Sequence, residues 1–142
     1  MAILTFENAY FKVLTPSAVD LSDHITQIEF DPSPEMQDDS RMGYVAKSNR
    51  AGAGQYSLVI TFQQDFGSSK VDALFGPWLL AGTALTWEMR PVNAAQSATN
   101  PTYAGQGIVG SYPPISGSWG QLMMARVSIV PNGGALPTRT AT

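Results

Sequence analysis

Chemistry at neutral pH needs groups that titrate or attack, and this chain holds few arranged for it. His24 is the only histidine, and there is no cysteine. Serine-type catalysis wants a histidine beside the nucleophile. Serines are plentiful, but none sits in a nucleophile-elbow sequence. The expected role of His24 is therefore a strand-edge or surface one. A single His without Cys also leaves zinc short of a ligand set.

Asp31, Glu35, Asp38 and Asp39 crowd one stretch. Glycoside hydrolysis needs two carboxylates at fixed separation, one with a raised pKa. A calcium loop wants alternating Asp/Asn and a central Gly, whereas this stretch has Pro32 and Pro34. A solvated acidic loop fits better. Gly105-Gln106-Gly107-Ile108-Val109-Gly110 matches GxGxxG in letters. The dinucleotide motif turns from strand into helix, but here Pro113-Pro114 follows, and the Thr/Tyr/Ile/Val content reads as a glycine-kinked strand. No catalytic, cofactor-binding or metal-binding residue is assigned, and the chain reads as a non-enzyme.

The elements around these residues are mostly strands. Gln55–Gln63 alternates cleanly, with Tyr56, Leu58, Ile60 and Phe62 on one face. Ala84–Arg90 repeats the pattern through Leu85, Trp87 and Met89. Leu122–Val130 is apolar on both faces, which suits a strand covered on both sides. Tyr10–Leu14, His24–Phe30 and Tyr103–Tyr112 are further strands. One segment has another period: Val71, Leu74, Phe75, Trp78 and Leu79 recur at three and four, a helix face over about 71–80. Ser68 or Ser69 is its expected N-cap, Gly82 its stop, and Pro77 shortens or kinks it. The fold class is mainly β: an antiparallel β-sandwich or barrel with one short flanking helix and a long loop at about 31–54. Residues 1–130 form a single domain, and 131–142 an extended C-terminal tail.

Composition agrees. The chain has 142 residues, enough for one sizeable core. Charged residues make up only 13% against 44% hydrophobic, which excludes disorder and a coiled coil. Ten of the 11 acids lie in residues 1–72, and no basic face for nucleic acid stands out. Ala2–Phe6 is too short for a signal-peptide core, and no run approaches a membrane span. The expectation is a soluble protein made in the cytoplasm, with no membrane binding.

Contacts between copies are the remaining use for the unusual residues. In the 31–54 loop, Asp38 and Asp39 are followed by Arg41, Lys47 and Arg50. A loop carrying acids and then bases can pair with a neighbouring copy of itself. Trp119 lies in the turn-rich Ser116-Gly117-Ser118-Trp119-Gly120 and is a candidate subunit contact.

A set of stretches then points to a family. They run from Leu21-Ser22-Asp23-His24-Ile25 through Phe62-Gln63-Gln64-Asp65-Phe66 and Val71-Asp72-Ala73-Leu74-Phe75 to Met89-Arg90-Pro91. Ser97-Ala98-Thr99-Asn100-Pro101-Thr102-Tyr103-Ala104-Gly105 and Pro114-Ile115-Ser116-Gly117-Ser118-Trp119-Gly120 follow. In order and spacing the chain resembles the major tail or tail tube proteins of tailed bacteriophages. The resemblance implies a structural virion protein, made in the host cytoplasm and placed in the phage tail. Six copies would form a ring, and rings would stack into a tube that conducts DNA as non-specific passing cargo. Its partners would be itself and other phage tail proteins, with no cofactor. A capsid decoration or head–tail connector protein would show the same composition. A β-sandwich carbohydrate-binding module, with Trp119, Tyr103 and Tyr112 stacking on sugars, is a further alternative.

Overall fold

A computed structural model describes residues 3–134 and 136–141. Its strands, in chain order, are β1 (Tyr10–Thr15), β2 (Val19–Asp20), β3 (Ile25–Pro32), β4 (Met36–Asp38), β5 (Asn49–Ala51) and β6 (Tyr56–Gln63). The helix α1 (Val71–Ala81) precedes β7 (Ala84–Arg90), β8 (Thr102–Ser111), β9 (Met124–Pro131) and β10 (Thr138–Thr140). A 3₁₀ turn at Ser22–His24 leads into β3, so His24 stands just before the strand rather than in it.

Every pairing is antiparallel. One sheet runs β2-β1-β7-β8-β9-β6-β3, and β10 also pairs with β8. It does not close: β2 and β3 end the path, so the architecture is an open sandwich rather than a barrel. The sheet folds over so that its two ends face each other. Phe30 of β3 meets Trp87 of β7 at 5.4 Å between ring centroids, and Phe11 of β1 meets Phe62 of β6 at 6.2 Å. Between these ends lies one core, in which Leu58, Ile60, Leu85, Val127 and Ile129 are fully buried. Burial of a side chain of this size stabilises by roughly 1.5–3 kcal/mol.

The period-two pattern places β6, β7 and β9 as expected, with one correction. In β9 only Ala125, Val127 and Ile129 are buried, while Arg126 and Val130 are exposed. On its second face Met124 and Ser128 are half-buried and Arg126 and Val130 exposed, so that face is not covered as the first is. The GxGxxG letters lie within β8, where two glycines make room for neighbours. A Cβ on Gly105 would stand 2.7 Å from the Trp87 ring, and one on Gly107 2.5 Å from the Tyr56 hydroxyl.

Helix α1 closes one side of the sandwich, with Phe75 5.4 Å from Phe62 and 5.5 Å from Trp78. Its start is not capped by Ser68 or Ser69. The N-cap is Lys70, without a side-chain bond, and the Asp65 carbonyl accepts the Asp72 N–H instead. Gly82 stops the helix as expected, in the left-handed region with φ 64°.

The C-terminal segment does not leave the sheet. β9 and β10 both pair with β8, Pro131 opposite Gly107 and Thr138 opposite Ala104. They therefore form one interrupted line along the same side of β8. Ala135 and Thr142 of that tail lie outside the described residues.

Candidate assembly interface

The expected long loop is a two-stranded arm. β3 and β6 run on as a ladder beyond the sheet, with Ser33 N–H donating to the Gln55 carbonyl and Glu35 N–H to that of Ala53. β4 and β5 continue it, pairing Met36 with Ala51 and Asp38 with Asn49, and Asp39 N–H donates to Ser48. The register shifts by one residue at Gly52, whose Cβ would stand 2.9 Å from the Glu35 carbonyl oxygen. Few side-chain periodicities betray these strands because both faces of β4 and β5 are exposed. Alternation in sequence reports a buried face, and here there is none.

All five charged candidates of this segment sit on the arm, and the arm uses several of them itself. Hydrogen bonding from the Ser40 side chain, and then from the Ser40 N–H, which donates to an Asp38 carboxylate oxygen at 2.9 Å, holds the Asp38 pKa below the ordinary value. Arg50 Nε lies 3.5 Å from an oxygen of Asp39, the residue just after β4. The Arg41 guanidinium lies over the Tyr44 ring at 5.9 Å. Lys47 is exposed. The Asp39–Arg50 pair thus stiffens one arm, whereas the sequence pattern suggested pairing between copies.

Sequence reasoning missed the arm's apolar tip. Met42 and Val45 are 102% and 106% exposed, and Tyr44 and Met36 are exposed as well. The run Met42-Gly43-Tyr44-Val45-Ala46 carries no charge between Arg41 and Lys47. That uncharged interval was the available signal, but it is too short to show a period.

At the base of the arm a groove of about 440 Å³ opens between Phe30, Pro32, Pro34, Tyr103, Leu136 and Pro137. Leu136 packs against Gly54, where a Cβ would require the Leu136 side chain to move.

Trp119 is not brought to the arm. It lies on the 112–123 connection between β8 and β9, which is tied to the far end of β6. Gln64 N–H donates to the Met123 carbonyl, and the Gln64 amide donates to the Pro114 carbonyl at 2.7 Å and the Tyr112 hydroxyl at 2.9 Å. The arm leaves β6 at Tyr56, so eight residues of strand, about 26 Å, separate the two regions. Trp119 is 99% exposed, with Ile115, Leu122 and Phe66 exposed nearby in the same end of the molecule. Trp87 and Trp78, by contrast, are core.

The same end holds the one histidine. Its Nδ1 lies 2.7 Å from Asp23 and its Nε2 2.9 Å from Asp65. A carboxylate on each ring nitrogen favours a proton on both. The Asp65 contact raises the His24 pKa above its ordinary value, and the reciprocal contacts lower those of Asp23 and Asp65. Asp65 also accepts the Gly67 N–H, so the cluster pins the 3₁₀ turn to the start of α1. No serine hydroxyl completes a catalytic arrangement with it: Ser22 Oγ is spent on Asp20 and the Phe11 backbone. Among the described residues there is no cluster of three or more potential metal ligands, and no helix long and apolar enough to cross a membrane. Tyr112 is buried, its pKa pushed up to about 12 by burial, and Tyr103 lies at the opposite end of β8. A sugar-stacking platform of Trp119, Tyr103 and Tyr112 is therefore not assembled.

Comparison with solved structures decides the fold. The chain superimposes on a subunit of the tail tube of SPP1 with a TM-score of 0.75, covering 99% of this chain and 80% of that one at 10% identity. This chain has the fold of the SPP1 tail tube subunit. A chain from the virion of a native gene transfer agent particle matches with a TM-score of 0.71 at 13% identity, covering 98% of this chain and 100% of that one. Another, from the tail of an empty gene transfer agent particle with C6 symmetry, matches at 0.67 and 12% identity, covering 94% and 95%. No protein-family model and no curated protein matches the chain.

Proposed function

We propose that this chain is a structural subunit of a phage-type tail tube, assembling with copies of itself into stacked six-membered rings inside a virion tail. The observation that carries the reading is the end-to-end match to a tail tube subunit, 99% of this chain at a TM-score of 0.75. The sixfold expectation draws on the C6 symmetry of the gene transfer agent tail.

Features of the isolated chain support it. β3, eight residues long, has a free edge at the end of the sheet, which is an aggregation hazard in a monomer and a ready contact in an assembly. The arm projects apolar side chains into solvent, where a solitary protein would gain nothing from them. Asp38, Asp39, Arg41, Lys47 and Arg50 of that arm, with Trp119, are the proposed contact residues. Charge there fixes register more than it adds affinity. Residues 1–130 are proposed as the tube domain, with 131–142 as a second contact. DNA would be passing cargo, and the net charge of −3 suits a conduit that must not retain phosphates. The role requires no catalysis, and the other tail proteins would be its remaining partners.

Negative-stain imaging of the purified protein tests the reading. Rings or tubes with sixfold averages are the expected result. A monodisperse monomer across concentration and salt would overturn it.

A further inference from the structure

The chain holds five asparagines, and one of them, Asn132, is followed by glycine. An asparagine side chain can be attacked by the backbone nitrogen of the next residue, which is one source of its thermal lability. The rate depends on how freely that nitrogen can swing onto the side-chain carbonyl. Asn132 stands in the interruption between β9 and β10.

We infer that Asn132 is a self-modification site, at which the Gly133 nitrogen closes on the side-chain amide and water converts the residue to aspartate or isoaspartate. The Gly133 nitrogen bonds to the Asn132 Cγ and gives up its proton. The side-chain nitrogen takes that proton and leaves as ammonia, so a five-membered succinimide remains. Water then opens the ring. Cleavage at the side-chain carbonyl yields aspartate, and cleavage at the backbone carbonyl yields isoaspartate. Nothing is oxidised or reduced, and water is the co-reactant. Each event makes the chain one charge more negative than its starting −3.

Three observations single out this residue. The first is access. Gly133 and Gly134 form an exposed turn with φ of 79° and 72°. Neither has a Cβ to shield the attacking nitrogen. Nothing lies within 4 Å of a Cβ position on Gly134, and the group beside Gly133, Gln106 Nε2, ends a flexible side chain. The second is freedom from hydrogen bonds. Among the described residues, neither the Asn132 side chain nor the Gly133 N–H has a partner. The third is slack. Pro131 lies opposite Gly107 and Thr138 opposite Ala104, three steps along β8, or about 10 Å. The seven steps of chain from Pro131 to Thr138 could reach about 23 Å, so the turn has length to spare for ring closure.

The other asparagines lack these conditions. The Asn100 amide donates to the Val92, Ala94 and Ala95 carbonyls, and Pro101 after it has no N–H to give up. Asn93 precedes Ala94, whose N–H donates to the Val92 carbonyl. Asn49 is paired within β5, and Asn8 precedes the buried Ala9.

The purified protein is incubated at mildly alkaline pH in water labelled with heavy oxygen. Peptide mass mapping then locates the label, and isoaspartyl methyltransferase counts isoaspartate. Label and isoaspartate are expected in the peptide holding residue 132, at a rate about tenfold or more above that at Asn8, Asn49, Asn93 or Asn100. The folded rate should lie within about tenfold of that in guanidinium-unfolded protein, since the turn is open. Asn132→Gln, which would need a larger ring, should remove the signal and leave the melting temperature unchanged. Conversion spread evenly over the asparagines, a folded rate suppressed beyond that range, or a signal that survives in Asn132→Gln would overturn the inference. None of these outcomes touches the tail-tube reading.

Discussion

Trp87 and Trp119 have the same side chain in opposite surroundings. Trp87 is 0% exposed, its ring 5.4 Å from Phe30 and 5.6 Å from Tyr56, and its indole N–H donates to the Tyr56 hydroxyl at 3.3 Å. The Tyr56 hydroxyl in turn donates a hydrogen bond to the Gln106 carbonyl. Every polar atom of that cluster is used, as a buried network requires. Trp119 is 99% exposed and has no such company. The core therefore completes itself within one chain, whereas Met42 and Val45 of the arm and Ile115, Trp119 and Leu122 of the 112–123 connection stand exposed. The difference separates residues kept for folding from residues left for association.

Several experiments break or sharpen that division. The largest effect should come from Trp87→Ala, which removes the centre of the aromatic cluster and should cost about 3–5 kcal/mol in denaturant unfolding. Trp119→Ala should stay within about 0.5 kcal/mol of the parent in the same measurement. Equal losses at the two positions would erase the distinction.

Gly107→Ala comes next. Its Cβ would stand 2.5 Å from both the Tyr56 hydroxyl and the Val130 carbonyl oxygen, and the latter is backbone that cannot turn aside. A cost of about 1–3 kcal/mol is expected. A neutral result would show that β8 and β9 are not packed as tightly as the core reading demands.

A smaller effect is expected from pH, at the end of the molecule where folding and assembly meet. The stabilisation from His24 is fully present below its unfolded value of 6.5 and is lost as pH rises through its raised folded value. That from Asp23 and Asp65 is present above 3.8 and is lost as pH falls through their lowered values. The melting temperature should therefore peak between these limits. His24→Asn should flatten the alkaline limb, and an unchanged alkaline limb would show that the cluster does not hold α1 to the 3₁₀ turn.

The smallest effect should be that of salt. The Asp39–Arg50 pair is exposed on the Arg side and lies within one arm. Raising salt from 0.1 to about 1 M, which shortens the Debye length to about 3 Å, should weaken assembly less than Trp119→Ala does. A steeper salt dependence would mean that charge pairs between copies hold the contact, as the acid-then-base order of the segment first suggested.

Much of the core could be read from the chain because burial leaves a period. Tyr56, Leu58, Ile60 and Phe62 alternate since one face of β6 meets the interior. Val71, Phe75 and Trp78 recur at helical spacing since one stripe of α1 covers Phe62. The arm left no such trace. Its strands are exposed on both faces, so hydrogen bonds from Ser33, Glu35 and Asp39, not side-chain burial, hold it straight. Helix α1 likewise begins where the Asp65 backbone supplies an acceptor, which no local serine could announce.

Local side-chain chemistry by itself determined that the protein is β-rich and carries one amphipathic helix. Those properties follow from residue type and nearest spacing, since each strand or helix face is set by neighbours two to four positions apart. Only the tertiary structure decided that β3 and β6 extend into an arm, that β10 completes the line of β9, and that Trp119 stands at the far end from that arm. Such relations join residues tens of positions apart through backbone hydrogen bonds, and a backbone hydrogen bond is made by the same atoms whatever the side chain, so the order of residues does not encode it.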